Sequence, residues 1–232
     1  MKIVIISDIH GNFDALSALP ENYDELWVLG DLVNYGPQPV EVIDLVLAKA
    51  SLVVRGNHDQ CIGQGDDPQC SPRFRDMAEA TRQFSDSVVT SEQKLCLRSF
   101  PPRLTAARGR SRFFLCHATP SDPFYEYRAA DSEKWVSDCK KLSADIVLVG
   151  HTHIPFIRRL DGQILVNPGS LGQPKTGKPD ACYAVWENEQ VSLRSYPYPI
   201  DRTVEKIRMM PILKGIQERL IAVLQSGGTA PA

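Results

Sequence analysis

The chain has 232 residues, a length that one α/β or β-sandwich domain fills and that buries roughly 70% of the surface its unfolded form exposes. With 43% hydrophobic and 23% charged residues and a mean hydropathy of -0.22, its composition is that of a globular protein and excludes disordered, collagen-like and coiled-coil readings. No apolar run is long enough to span a membrane, and the net charge of -2 gives no basic field, so neither a membrane nor stably bound nucleic acid is expected as a partner.

The start, MKIVIISDIHGN, meets Asp8 before a signal-peptide core can form, so a cytoplasmic location is expected. The charge is unevenly spread: residues 1–60 hold three basic groups, Lys2, Lys49 and Arg55, against nine acidic ones. Either a cation belongs near those carboxylates or they form a solvated face. The cysteines at 61, 70, 96, 116, 139 and 182 form no CxxC pair, and they are read as reduced, buried thiols.

In chain order, Ile3–Ile6 is a continuous apolar run of the kind found in a sheet covered on both faces. A short helix is expected over 12–19, a strand over 25–29, a helix over 39–50 introduced by Pro37 and Pro39, and a strand over 52–54. Residues 60–72, rich in Gly, Asp, Gln and Pro, read as loop, and 73–99 as two short helices. Strands follow near 104–107, 112–116, 146–149, 156–160, 164–166, 183–187 and 191–196, with one helix over 132–142 among them. A helical stretch over 204–224, broken near Pro211, precedes a tail over 226–232 expected to fray. No repeat or linker interrupts the chain, so one domain spanning 1–232 is expected: two sheets packed face to face with helices outside.

The five histidines, His10, His58, His117, His151 and His153, each follow an expected apolar strand, where α/β proteins place ligand sites. Asp8, Asp31, Asn57 and Asp59 stand at the same strand ends. In Asp8-Ile9-His10 and His151-Thr152-His153 the polar residues are two apart, which extended backbone sends to one side. Carboxylate and imidazole together suit Mn²⁺, Fe or Zn²⁺ rather than a cysteine-held structural zinc, Mg²⁺ or Ca²⁺. Asp8, His10, Asp31, Asn57, His117, His151 and His153 are too many for one ion with open positions, and two ions sharing a carboxylate fit better. No P-loop or dinucleotide fingerprint occurs.

The ordered set Asp8-Ile-His10-Gly-Asn12, Gly30-Asp31-Leu-Val-Asn34, Gly56-Asn57-His58-Asp59, His117 and Gly150-His151-Thr-His153 resembles the calcineurin-like metallophosphoesterase superfamily, and within it the small bacterial and archaeal phosphodiesterase branch. Asn167-Pro168-Gly169-Ser170 is similar to that branch as well. The resemblance implies a four-layer α/β/β/α sandwich of two mixed sheets. It implies that Asp8, His10, Asp31 and His153 hold one ion, and Asp31, Asn57, His117 and His151 the other, with Asp31 bridging. The expected pair is Mn²⁺ foremost, with Fe, Zn²⁺ or Ni²⁺ as alternatives. Two divalent ions, two carboxylates and one bridging hydroxide sum to a charge of +1, which attracts a phosphate.

The implied activity is hydrolysis of phosphodiesters or phosphomonoesters of small molecules or nucleotides. Asn57 would help hold the phosphoryl group, and His58 and Asp59 are left for proton transfer, Asp59 orienting His58. Asn34, past the ligand, is expected only to shape its loop. Protein phosphatases of the superfamily carry Asp-Arg where this chain has Asn34-Tyr35, and dinucleoside tetraphosphate hydrolases are similar over Gly30–Pro37 with Arg in place of Tyr35. Those two activities are the alternatives, and a non-enzymatic scaffold of the same fold is a further one.

Arginines at 98, 103, 108, 110 and 112 read as a solvated edge hairpin, with contact to phosphate as the rival reading. The segment Phe124-Tyr-Glu-Tyr-Arg128 could pack internally or form an aromatic rim. The apolar face of the C-terminal helices covers a sheet or a dimer contact, which leaves a homo-oligomer open.

Overall fold

The computed structural model describes residues 1–70 and 72–228. In chain order it contains β1 (Lys2–Ile6), α1 (Phe13–Ser17), β2 (Glu25–Val28), α2 (Pro39–Lys49), β3 (Leu52–Val53), α3 (Asn57–Gln64), a 3₁₀ turn at Pro72–Phe74, α4 (Arg75–Val88) and α5 (Ser91–Ser99). Then follow β4 (Arg103–Arg108), β5 (Ser111–Cys116), α6 (Lys134–Cys139), β6 (Ile146–Leu148), β7 (Phe156–Leu160), β8 (Gln163–Asn167), β9 (Ala181–Glu187), β10 (Gln190–Tyr196), α7 (Ile200–Met209) and α8 (Lys214–Ser226). Only the first three residues of the expected fraying tail, 226–228, lie within the described part.

The strands form two five-stranded mixed sheets, ordered β10-β9-β1-β2-β3 and β4-β5-β6-β8-β7. In the first, β1, β2 and β3 run parallel; in the second, β5, β6 and β8 do. The period of two along β1 explains the layering. Ile3 and Ile5, with Trp27 of the neighbouring β2, face the second sheet, where they meet Phe113, Leu115 and Leu148, while Val4 and Ile6 face the helices, among Val42, Ile43 and Leu220. A smaller core joins the far side of the second sheet to Trp135 and Cys139 of α6. The result is the expected α/β/β/α sandwich, and it explains why Ile3–Ile6 carries no polar residue: both faces are covered.

The segment read as loop from residue 60 is in fact part of α3, which begins at Asn57. The four residues Asn57, His58, Asp59 and Gln60 are polar yet all buried, so no apolar stripe betrays the helix. Its ends carry the signal instead. Asp59 at the third position accepts a hydrogen bond from the Gly56 amide, and Gly65 closes the helix at φ +84°.

Candidate metal centre

The parallel strands of both sheets point their C-terminal ends at the same place. Asp8 and His10 follow β1, Asp31 follows β2, Asn57 opens the helix after β3, His117 follows β5, and His151 and His153 follow β6. All seven are at most 4% exposed. They fall into two triads, Asp8 with His10 and His153, and Asp31 with His117 and His151, each with its ligand atoms within 4.8 Å of one another.

The two sequence pairs do face one site, but not through extended backbone. Asp8, His10, His151 and His153 have φ of 54°, 49°, 66° and 62°. Among the described residues, seven of the ten non-glycine residues with positive φ lie here, the others being Asp31, Asn34 and Tyr35. Such conformations cost about 1–3 kcal/mol each, and surrounding structure must hold them in place. The holding contacts are visible. Asp8 N–H donates to the Gly30 carbonyl, and His10 N–H to that of Asp31. Ser170 Oγ donates to the Asp8 carbonyl at 2.6 Å, and Asn167 Nδ2 to the Gly150 carbonyl at 2.6 Å. The Asn167–Ser170 motif therefore fastens the loops that carry Asp8 and His151. Two glycines allow the close approach: a Cβ on Gly56 would lie 2.1 Å from Asp31 Oδ1, and one on Gly150 would lie 2.8 Å from Asp8 Oδ2.

Three imidazoles are aimed by the same device. The Nδ1 atoms of His10, His117 and His153 lie 3.0, 2.7 and 2.7 Å from the carbonyls of Val33, Leu29 and Gln173. Donation there fixes the tautomer and turns a bare Nε2 lone pair inward. His151 is reversed, with Nδ1 inward and 3.2 Å from His117 Nε2, while its Nε2 is buried without a partner. Each carboxylate divides its oxygens. Asp31 Oδ1 accepts from His58 N–H and Asp8 Oδ2 from His151 N–H, leaving Asp31 Oδ2 and Asp8 Oδ1 facing the histidines. Asn57 donates its amide to the Pro68 carbonyl and turns Oδ1 to within 3.1 Å of His117 Nε2.

These residues fit divalent cations. His10 and His153 Nε2 are 3.1 Å apart, two lone pairs that repel unless something positive lies between them. Two nitrogens held roughly 2.1 Å from one ion, near right angles, are separated by about 3 Å. Asp8 Oδ1 is buried and accepts no hydrogen bond, an orphan that a cation would satisfy. Burial and the neighbouring His153 charge hold His10 well below the usual imidazole range; burial and His117 bring His151 down to about 3. Burial opposes ionisation of Asp8 and Asp31, but the facing histidines outweigh it and keep both carboxylates well below their ordinary range. Anionic carboxylates and neutral imidazoles are the ligand forms a metal needs; His10, His151 and His153 are held in that form, whereas Asp31 pushes His117 up to about 9 against the effect of burial, a proton that a bound ion would have to displace. Asp31 Oδ2 lies 3.1 Å from His117 Nε2 in its own triad and 3.9 Å from His10 Nε2 in the other, the position of a shared ligand.

His58 and Asp59 separate. Asp59 does not touch His58: its oxygens accept from the backbone N–H groups of Asp31, Leu32 and Gly56 at 2.8, 2.8 and 3.0 Å, locking the β2 loop to the start of α3. The expected orienting role falls to Asn34, whose amide nitrogen lies 2.7 Å from His58 Nδ1. Asn34 Oδ1 is buried without a partner, and turning the amide over would set it against Nδ1–H, as a protonated ring requires. Asn34 therefore does more than shape its loop.

On the other side of the ring, His58 Nε2 is 3.5 Å from Cys70 Sγ, which also receives the Tyr35 hydroxyl at 3.4 Å. Burial would depress His58, but the charges of Cys70 and Asp31 push it up to about 9. Burial raises Cys61 to about 12 and Cys139 and Cys182 to about 11, whereas at Cys70 the opposing charge and hydrogen bond of His58 bring the thiol below its usual value. Cys70 departs from the plain-thiol reading, and nothing in its surroundings in the sequence marks it.

The weaker signals also resolve. Arg98 donates to the Gly63 carbonyl, Arg103 to Pro120, Arg108 to Glu25 and Arg112 to Asp145, so these four arginines serve the scaffold. In Phe124–Arg128, Arg128 is buried against Asp138 and Glu126, while Tyr127 is 49% exposed with its ring 4.0 Å from that of His151.

The family model for the calcineurin-like phosphoesterase superfamily domain matches residues 1–190. The chain belongs to that superfamily. A metallophosphoesterase of Sphaerobacter thermophilus superposes with a TM-score of 0.80 at 28% identity, covering 95% of this chain and 98% of its own. The phosphodiesterase YfcE of Escherichia coli is 26% identical over 83% of this chain and 91% of its own length. The symmetrical bis(5'-nucleosyl)-tetraphosphatase of Psychromonas ingrahamii is 43% identical over 67 residues, which are 25% of this chain and 24% of that enzyme. The superfamily match ends inside β10, so α7 and α8 lie beyond it.

Proposed function

We propose that the protein is a dinuclear metal-dependent phosphoesterase that hydrolyses phosphate esters of small molecules or nucleotides, and that it works in the cytoplasm. The observation that carries this is the convergence of seven buried donors into two triads with Asp31 Oδ2 turned toward both. Asp8, His10, Asp31 and His153 would hold one ion and Asp31, Asn57, His117 and His151 the other. Two divalent ions there, Mn²⁺ foremost, would supply a nucleophile from water at neutral pH and neutralise phosphoryl charge.

The chain's own residues account for the rest. The backed imidazoles keep the donors fixed, so little reorganisation is needed as charge develops. His58, held at Nδ1 by Asn34, presents Nε2 as the proton donor to a leaving oxygen, with Cys70 as its resting partner. Tyr127 beside His151 offers an aromatic wall to the leaving group. The short stretch shared with a tetraphosphatase supports a second reading, dinucleoside polyphosphate hydrolysis, although Tyr35 supplies no positive charge there.

The test is a panel with Mn²⁺: bis-p-nitrophenyl phosphate, p-nitrophenyl phosphate, 2′,3′- and 3′,5′-cyclic nucleotides and a dinucleoside tetraphosphate. Metal-dependent turnover that chelation abolishes supports the reading. No hydrolysis of any of them at full metal occupancy sinks it in favour of a binding scaffold.

A further inference from the structure

The segment after β8 is pinned to the centre along its length. Asn12 donates to the Gly172 carbonyl at 3.0 Å, Gln173 N–H to Ser170 Oγ at 2.7 Å, and Lys175 N–H to the carbonyl of His153 at 3.3 Å. From the other side the end of α8 presses on it. Gly177 N–H donates to Gly227, and a Cβ on Gly228 would lie 2.7 Å from Lys175 Cα. Residues far apart in sequence, Asn12, His153, Ser170, Gly227 and Gly228, thus fix where Lys175 stands.

Its side chain is half-buried with Nζ 5.0 Å from the centre of the Phe74 ring. Among the described residues its ammonium makes no hydrogen bond or ion pair; the negative charges that bear on it most are Asp8, Cys70 and Asp31, the groups around the two triads. A partly buried ammonium with only an aromatic face against it has donors to spare. Tyr35 is 6% exposed, has its ring against those of His10 and His58, and spends its hydroxyl on Cys70, so it brings no charge to the centre. With its backbone bonded to the His153 carbonyl and its charge felt by Asp8 and Asp31, Lys175 stands beside the centre.

We propose that Lys175 is a phosphate-recognition residue: its ammonium receives non-bridging oxygens of a phosphoryl group at the metal centre and makes phosphate monoesters the preferred substrate class. The inference rests on the phosphoesterase reading above. Its logic is charge balance. Two divalent ions with their two carboxylates and a hydroxide carry +1, the charges of His58 and its partner Cys70 offset each other, and Lys175 brings the site to +2, which a dianionic monoester neutralises and a monoanionic diester does not. Phe74 holds the ammonium in place without neutralising it, as a carboxylate partner would.

The experiment uses the full chain loaded with Mn²⁺, as wild type, Lys175→Gln and Lys175→Arg. Binding of inorganic phosphate is measured by calorimetry, and kcat/KM on p-nitrophenyl phosphate and bis-p-nitrophenyl phosphate beside it, with metal content and thermal melting of each variant. Losing a charge-assisted hydrogen bond should weaken phosphate binding by about 10- to 100-fold in Lys175→Gln and lower the monoester-to-diester ratio of kcat/KM at least about tenfold, mainly through KM, while Lys175→Arg stays within about threefold of wild type. Unchanged phosphate affinity in Lys175→Gln, or an equal loss on both esters with Lys175→Arg no better, overturns the proposal and leaves Lys175 as packing for Phe74. Failure of the wild type to hydrolyse any ester overturns the parent reading instead; phosphate binding needs no turnover and still decides Lys175.

Discussion

The floor of the site and its rim are built on opposite principles. On the floor, donors sit at the ends of parallel strands, and a backbone carbonyl or amide accounts for the far side of most of them: Val33, Leu29 and Gln173 behind three histidines, His58 and His151 amides on the two carboxylates. On the rim, Cys70, Tyr127 and Lys175 come from loops and meet side chains rather than backbone, Cys70 at 3.5 Å from His58, Tyr127 at 4.0 Å from the His151 ring and Lys175 at 5.0 Å from the Phe74 ring. A floor so fixed can hold ions with little freedom to adjust, whereas rim side chains such as Lys175, whose ammonium keeps its donors, can accept a ligand. The difference teaches that metal chemistry and substrate choice are separable here, and substitutions should separate them.

The largest effect is expected on the floor. Asp31→Asn removes the carboxylate shared between the triads and should cut kcat/KM on every substrate by at least about 10³-fold, with a metal-to-protein ratio below that of wild type. Full metal content with high activity would place the shared ligand elsewhere. His58→Ala tests the boundary between floor and rim. It should cost about 10²–10⁴-fold on an alkyl ester, whose leaving oxygen needs a proton, and much less on a p-nitrophenyl ester, at unchanged metal content. An equal loss on both would remove His58 from the acid role.

Asn34→Ala should follow the same leaving-group pattern at smaller scale, about 10-fold, because the ring remains but is no longer held. Equal losses in Asn34→Ala on alkyl and aryl esters would show that it only supports the loop. The pH profile has a definite sign. A His58 that donates its proton must be charged, and with its pKa pushed up to about 9 the alkyl-ester rate should hold through neutral pH and fall as pH rises through about 9. After burial, the Cys70 charge is the largest influence on His58 and it acts upward, so Cys70→Ser should move that falling limb to lower pH. A limb that stays put would detach Cys70 from His58. The smallest effect belongs to the scaffold: Arg112→Ala, which breaks an exposed pair with Asp145, should leave kcat/KM within about twofold.

The same division explains what could be read in the sequence. Ile3–Ile6 announced a doubly covered strand because both its faces are apolar, and from there the polar residues Asp8, Asp31, His117 and His151 at successive strand ends named the floor. The start of α3 stayed hidden because Asn57, His58, Asp59 and Gln60 are polar yet buried among the polar side chains at the strand ends rather than in an apolar core, so the helix has no hydrophobic period there. Asp59 looked like the partner of His58 by adjacency, yet helix geometry turns consecutive side chains apart and sends Asp59 back to the β2 loop. The true partner, Asn34, lies 24 residues earlier. Cys70 and Lys175 were illegible because a loop's path, unlike a strand's, is set by distant contacts such as Asn12 with Gly172.

The central claim is that this floor binds two ions through one shared carboxylate, and the most direct measurement is a crystal structure grown with excess Mn²⁺, with the ions located by anomalous scattering. The account predicts two peaks roughly 3.5–4 Å apart, one among Asp8, His10 and His153, the other among Asn57, His117 and His151, with Asp31 touching both. A single fully occupied ion, or two ions with Asp31 bound to only one, would contradict it.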